Sequence, residues 1–562
     1  MKKLYQAVLF VLLCCLTPLV GNAQSFRVQC PTSTITHPNA ANNNSESTYS
    51  AGTYLPTTGV SSDYTSGKTG PVNGAIKCQQ IGGGDGYSTM GDGSQIYMFS
   101  FGPLSGLQDI ANGQPGTEFP NVFNTVYPGT FLPGDPATTL GAGAGGVGGA
   151  QNTVPIAFPY NGAVGLAPDA DAIAHGCTAP CLDGHVDTRA VIDVGVMNGN
   201  IPAPLFAIDE DDEFFLTLTN VGMIMRPDLF EQHTVHFHGY PNASTFYDGV
   251  PDASVAINIG GSFTYYYLAP DAGTYFWHCH ITPPEHLQMG MVGQIYVRPR
   301  QDRVPTVCPT GLANCTTDLY TALQHQEADL RTKCDSTTDI LCSNPLPAVN
   351  TGAQARSTIV NSTGSTAGYA YNDGDGTTYY DVEYPIQIHG FDPNFHFVGM
   401  TFNPEEFNDM KDKYFLLNGR SYPDTVTPGP LATVATDGKM HFSQPLPSII
   451  NIPAGGKALL RISDLDVTEY QTLASLGIPM TVIGYNAKLL RDQAGNNLYY
   501  NTNSITLGGG ESLDVILDTS VPKPDGTAYT KGEIYYLYTP NLDHLSNDAE
   551  NFGGLMTEIH IN

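Results

Sequence analysis

Positive charge is what this chain has least of: 23 lysines and arginines stand against 53 aspartates and glutamates, for a net charge of -30. Nucleic-acid binding needs clustered Lys and Arg to neutralise phosphates, so the deficit excludes a nucleic-acid partner. Such a surface suits a chain that must stay soluble, and it enriches cations nearby. Long apolar runs are also scarce. Past the N-terminus no stretch stays apolar for the ~18 residues a membrane-spanning helix requires, which excludes a span in the processed chain. Amphipathic helical periodicity is rare, whereas Gly, Thr, Asn, Tyr and Pro abound, as in a chain of short strands and turns.

The one apolar run lies in "MKKLYQAVLFVLLCCLTPLVGNAQS". Lys2 and Lys3 precede an apolar segment from Ala7 to Val20, and Gly21-Asn22-Ala23 supplies small residues for cleavage. Residues 1–23 are therefore expected to be a secretory signal peptide, with the processed protein in the periplasm, at the cell surface or outside the cell. Leu13 before Cys14 argues against lipoprotein processing there.

Two of the 11 cysteines fall in that leader, leaving an odd number for an oxidising compartment. Cys177/Cys181, Cys308/Cys315 and Cys334/Cys342 are spaced to close short loops, and Cys30/Cys78 make a longer one. Cys279 is left over, and an unpaired cysteine in an exported chain requires a specific role.

An all-β chain is expected, built from two β-sandwiches of Greek-key type with a disulfide-tied N-terminal arm and a helical linker. The arm is residues 24–85. Residues 86–300 form the first sandwich, with a long loop insertion around "GAGAGGVGGAQN". Residues 301–382 are the linker, with a helix over 316–335, and 383–562 form the second sandwich. Its clearest strands are "KYFLLNGRSYPDT", "ALLRISDLD", "PMTVIGYNAKLL" and "ESLDVILDTS".

Histidines concentrate in "HTVHFHG" (His233, His236, His238) and "FWHCHITPPEHLQMGM" (His278, His280, His286). Side chains alternate faces along a strand, so His236 and His238 share one face and His233 takes the other. Likewise His278 and His280 share a face opposite Cys279. If the two strands are neighbours, His233 meets Cys279, and His286 and Met291 arrive from the following loop. Two imidazoles, a thiolate and a thioether are the ligands of a blue-copper electron-transfer site, and a thiolate bound to metal must stay unpaired. The other four imidazoles lie beside it as a second cluster.

The block "HFHGYPNASTFYDGVPDASVAINIGGSFTYYYLAPDAGTYFWHCH…GMVGQIYV" resembles the multicopper oxidases, a cupredoxin-fold family that includes laccases, ferroxidases and manganese oxidases. The resemblance is strong over residues 192–300 and weaker over 383–562, where both sandwiches take on a cupredoxin-like reading and the second is expected to be copper-free. It implies a type 1 copper on His233, Cys279, His286 and Met291. It also implies a type 2/type 3 copper cluster on His236, His238, His278 and His280. Electrons from a small reducing substrate, a metal ion or a phenol, pass through Cys279, His278 and His280 to oxygen. Asp248 and Asp252 in "YDGVPDAS" are candidate proton donors, Asp252 reading better as a turn residue.

The chain departs from the family in two ways. The step from Cys279 to His286 is longer than the family's, and "TPP" is expected to absorb it as a bulged loop. The second sandwich lacks the histidine pairs that complete an oxygen-reducing cluster. Either His389, His396 and His441 or His544 supply them, although none has the paired spacing, or a second copy of the chain completes the site as a homo-oligomer.

Two alternatives stay open. A copper nitrite reductase-like enzyme shares the step from His233 to His238, and a non-catalytic blue-copper electron carrier needs only the first site. The donor is not legible: "DEDDE" (Asp209 to Glu213) reads as an exposed acidic turn, and Met223, Met225 and Met289 read as core residues.

Overall fold

The computed structural model describes residues 74–124, 199–302 and 368–562 apart from short breaks, together with parts of 28–54. The leader, the expected helix over 316–335 and the Cys177/Cys181, Cys308/Cys315 and Cys334/Cys342 pairs lie outside the described residues.

The first block contains strands β1 (Ile76–Thr89), β2 (Gln95–Pro103), β3 (Phe206–Asp209), β4 (Glu213–Asn220), β5 (His236–His238), β6 (Ser262–Leu268) and β7 (Gly273–His278). A short helix α1 (Pro283–Gln288) and strand β8 (Val292–Arg298) complete it. The strands form two sheets, ordered β2-β1-β4-β6 and β3-β8-β7-β5. Aromatic and β-branched side chains alternate inward and fill the space between them with Phe99, Phe101, Phe206, Phe214, Leu216, Phe237, Tyr265 and Trp277. Trp277 stacks on Phe206 with ring centroids 4.5 Å apart. Burying one such side chain contributes roughly 1.5–3 kcal/mol.

Strand β1 begins inside the stretch assigned to the arm and pairs with both β2 and β4. A Cys30–Cys78 disulfide ties the arm to this strand, as expected. The acidic run is not an exposed turn: Asp209, Glu210, Asp212 and Glu213 are buried. Asp212 accepts from the Ala75 N–H at 2.8 Å and pairs with Lys77 at 3.2 Å. Glu213 takes His37 at 2.8 Å, Thr36 at 2.5 Å and Tyr266 at 2.6 Å. Asp212 and Glu213 hold the arm in place, and their burial is stable because both gain donors from it.

The second block has strands β9 (Val382–Phe391), β10 (Tyr414–Leu417), β11 (Ile450–Ile452), β12 (Lys457–Asp464), β13 (Gln471–Leu476) and β14 (Met480–Tyr485). They are followed by β15 (Lys488–Leu489), β16 (Tyr500–Thr502), β17 (Ser504–Leu507), β18 (Glu511–Asp518), β19 (Ile534–Tyr538) and β20 (Met556–Ile561). One sheet runs β10-β9-β12-β18-β14-β15, with β16 beside β14, and the other runs β11-β20-β19-β13-β17. The strands read from the sequence in this block are all present. Helix α2 (Pro393–Gly399) follows β9.

Strands β7 and β8 are buried along their whole length, on both faces. One face lines the first core and the other lies on β12 and β18. There Thr274 Oγ1 donates to Asp514 Oδ1 at 2.5 Å, and Gln294 Nε2 donates to Arg461 O at 2.8 Å and Ser463 Oγ at 3.0 Å. Glu383 receives Arg461 at 2.9 Å and Arg298 at 3.3 Å. The blocks are joined by a buried, charged and hydrogen-bonded contact.

Candidate metal centre

Strand register sorts the histidines. β5 pairs antiparallel with β7 so that His236 lies opposite His278, Phe237 opposite Trp277, and His238 opposite Phe276. His236, His238 and His278 therefore share one side, while Phe237 and Trp277 point into the core. His233 precedes β5, held by a bridge to Ile257, and Cys279 follows β7 directly. Between Cys279 and His286 the chain does not bulge. Thr282 takes a left-handed conformation (φ 38°), and Pro283 and Pro284 open α1, where a missing N–H costs nothing. The extra length of this loop is spent on a turn of helix that carries His286.

Around Cys279 the donor atoms converge. His286 Nδ1 lies 3.2 Å from the sulfur and His233 Nδ1 lies 4.0 Å from it, and all three residues are fully buried. The Thr234 N–H also points at the sulfur, at 3.4 Å. Met291 lies in the same apolar cluster, and its carbonyl accepts the Cys279 N–H at 3.2 Å. Burial opposes ionisation of Cys279, yet the imidazoles of His286 and His233 overcome it and hold the thiol well below its usual value. His286 is pulled down by burial and pushed further up by the Cys279 thiolate and Glu231, to about 10. Burial lowers His233, whose Nε2 has no hydrogen-bond partner among the described residues. Three such donors facing one another inside an apolar shell fit a shared metal ion, and a thiolate with two imidazoles and a nearby thioether is a copper set.

The second set is His236, His238 and His278, with His280 beside them. Ring centroids of His236 lie 5.2 Å from His278 and 4.9 Å from His280. His236 Nδ1 donates to Asp248 O at 2.7 Å, and His278 Nδ1 donates to Cys279 O at 2.8 Å. Each bond fixes the tautomer that leaves Nε2 with a lone pair, the arrangement metal-bound histidines use. Burial lowers His278 to about 3 and also lowers His238 and His280, so these imidazoles stay neutral and able to bind metal. The face they share is not solvent alone: Gly510, in the turn before β18, comes so close that a Cβ there would sit 3.6 Å from the His238 ring.

The other sequence candidates separate. The Asp248 carboxylate lies 3.6 Å from His236 Nδ1, whereas Asp252 sits in an exposed turn. Met223 and Met289 are core residues, and Met225 packs against that core. The histidines of the second block do not join the cluster. His389 and His396 face the carbonyl of Gln288 at 3.4 and 3.0 Å, and His544 is taken up by Gln471 and Glu469. The side chain of His441 falls outside the described residues. Sequence reading missed Glu231, whose carboxylate lies 3.5 Å from His286 Nε2. Its place two residues before His233 was the available signal. Gln288 was missed as well, and nothing local marks it.

The multicopper oxidase family model matches residues 184–302. Laccase abr2 of Aspergillus fumigatus is 34% identical over 109 residues, 19% of this chain and 17% of that protein. A copper-containing nitrite reductase of Rhizobium meliloti is 34% identical over 109 residues, 18% of this chain and 26% of its own length. Among solved structures, the blue copper oxidase from Nitrosomonas europaea overlays with a TM-score of 0.39 at 19% identity, covering 65% of this chain and 78% of that one. The matched stretch thus spans about a quarter or less of those two relatives in sequence. Among the described residues no helix is long and apolar enough to cross a membrane.

Proposed function

Since the chain carries a multicopper oxidase domain over residues 184–302, we propose that it is a copper oxidase that takes electrons singly from a reducing donor, a metal ion or a phenol, and delivers them to oxygen. The observation that carries this reading is the place of Cys279. Its sulfur belongs to the first donor set, and its two chain neighbours, His278 and His280, belong to the second.

His233, Cys279, His286 and Met291 would hold one copper, and His236, His238, His278 and His280 would hold the others. Copper, when bound, supplies one-electron redox chemistry at both sets. The protein's part is positional. The His278 N–H bonded to the Cys279 carbonyl keeps the link between the sets stiff, so that their separation is constant. The apolar shell of Phe99, Trp277 and Met289 keeps water from the thiolate. Glu231, about a quarter exposed beside His286, marks the side from which a cationic or phenolic donor approaches. Phe230 beside it is 80% exposed, an apolar surface for a ring. Asp248, against His236, is the carboxyl group able to deliver protons to the second set.

The second sandwich lacks the histidine pairs that would complete an oxygen-reducing cluster beside these four, and we take a second copy of the chain to provide them across a two-fold axis. The Cys30–Cys78 disulfide supports an exported protein, since disulfides persist in oxidising compartments.

Oxygen uptake by the copper-loaded protein with Fe(II), Mn(II) or a phenol as donor tests the reading. Donor-dependent uptake supports it. The step from His233 to His238 and the nitrite reductase relative favour nitrite as the other acceptor. Nitrite consumption without oxygen uptake would select that enzyme, and neither activity would leave an electron carrier.

A further inference from the structure

The helix that brings His286 to Cys279 is gripped from outside its own block. Gln288, the last residue of α1, is fully buried. Its Nε2 donates to Asp412 Oδ1 at 2.9 Å, and its Oε1 accepts the Asp392 N–H at 2.9 Å. Its carbonyl lies 3.0 Å from His396 Nε2 and 3.4 Å from His389 Nε2, within what two lone pairs accept. All four partners belong to the second block. His396 also brings Nδ1 within 2.5 Å of Tyr97 O on β2, and since burial lowers the ring to about 4 and keeps it neutral, its one N–H goes to either that carbonyl or the Gln288 carbonyl.

The receptor is built before Gln288 enters it. Asp412 also accepts from Thr468 Oγ1 at 2.5 Å and abuts Asp466, which Gln471 Nε2 holds at 2.6 Å. A Cβ at position 390 would lie 2.2 Å from Asp412 Oδ2 and 2.8 Å from Asp466 Oδ2, so only Gly390 admits this pair. On the other side Gln288 sits two residues after His286 and three before Met291. The Met291 N–H donates to His286 O at 2.9 Å, and the Cys279 N–H donates to Met291 O at 3.2 Å. A shift at Gln288 therefore moves two of the four groups around the thiolate.

We propose that Gln288 is a positioning residue through which the second block, clamping its amide with Asp392 and Asp412, sets the place of His286 and Met291 around Cys279. The stretch "IHGFDPNFH" then serves the metal centre without binding metal. The inference rests on the reading of the first donor set as a copper site. Groups that orient metal ligands from behind commonly change metal affinity by about 10–100-fold when removed.

The test uses the full chain and four variants, Gln288→Met, Asp412→Ala, Asp412→Asn and, as control, Gln294→Met. Gln294 is another buried glutamine that bridges the blocks, but it lies on β8 away from the loop. Three quantities are read: copper affinity, the visible and paramagnetic resonance signature of the bound copper, and the rate at which an alkylating reagent labels Cys279 in metal-free protein.

Gln288→Met and Asp412→Ala are expected to weaken copper binding about 10–100-fold, alter the signature and speed labelling of Cys279. Asp412→Asn keeps the acceptor and should match the parent. Gln294→Met should lower the melting temperature alone. Parent-like affinity, signature and labelling in both Gln288→Met and Asp412→Ala, or equal changes in Gln294→Met, would overturn the inference. If Gln288→Met fails to fold, the Asp412 pair decides. A parent chain that binds no copper would remove the functional reading instead, and labelling of Cys279 would still decide this one.

Discussion

The carbonyl oxygen of Cys279 accepts a hydrogen bond from Nδ1 of its neighbour His278 at 2.8 Å. One peptide unit thereby orients a ligand of each donor set, so a change that keeps this peptide can disturb one set alone. Cys279→Ser removes the sulfur while keeping that peptide. It should abolish the intense visible band and lose about one copper per chain, leaving the copper held by His236, His238 and His278. Metal analysis and a spectrum of the loaded variant check this, and an unchanged band would contradict it.

His236→Ala acts on the other side. His236 touches no atom of the first set but faces His238, His278 and His280. The visible band should persist while donor-dependent oxygen uptake drops by more than the ~100-fold that loss of an outer-shell partner reaches. Loss of the band together with uptake would mean that the two sets are not separable.

How much of this could be read in advance depended on range. The placement of His236, His238 and His278 on one side and of Cys279 on the other follows from the period of a strand, which is local and strict, whereas His286 reaches Cys279 on α1. Gln288 was invisible because its partners lie more than a hundred residues on, in another sandwich. The acidic run was misread as exposed for the same reason: its partners His37 and Lys77 are remote, and only the fold brings them together. The turn "TPP" became a helix rather than a bulge because Pro suits a first helical turn as well as a loop, and the sequence does not choose between them.

Stability should depend on the charged contact between the blocks. Glu383 is fully buried between Arg461 and Arg298, and Glu383→Ala leaves both guanidinium groups without their shared carboxylate. Breaking a buried pair from one side costs about 3–5 kcal/mol. Urea denaturation should show a loss of that order, and a loss below 1 kcal/mol on the same scale would place the strength of the contact elsewhere.

Asp464 supplies a pH dependence. Burial, with Asp466 and Glu511 adding to it, raises its carboxyl well above the usual range, and Oδ2 has no hydrogen-bond partner among the described residues. The folded chain therefore keeps a proton that the unfolded chain has released. Stability from this group is present at acid pH and declines as pH rises from its ordinary value of 3.8, by about 1.4 kcal/mol per unit until the raised value is passed. Asp464→Asn keeps the acceptor that Oδ1 offers to the Asp466 N–H and removes the titration. The variant should equal or exceed the parent in stability at pH 8 and show a flatter profile above pH 4. A variant less stable than the parent at pH 8 would contradict the assignment.

The central claim is that one cysteine joins two copper sets in a single domain. Copper per chain, measured with paramagnetic resonance and the visible spectrum on one copper-loaded sample, tests it most directly. The account predicts a blue thiolate–copper signal, a second and distinct copper signal, and more than one copper per chain. One copper per chain with the blue signal alone would contradict it and leave His236, His238, His278 and His280 without a metal.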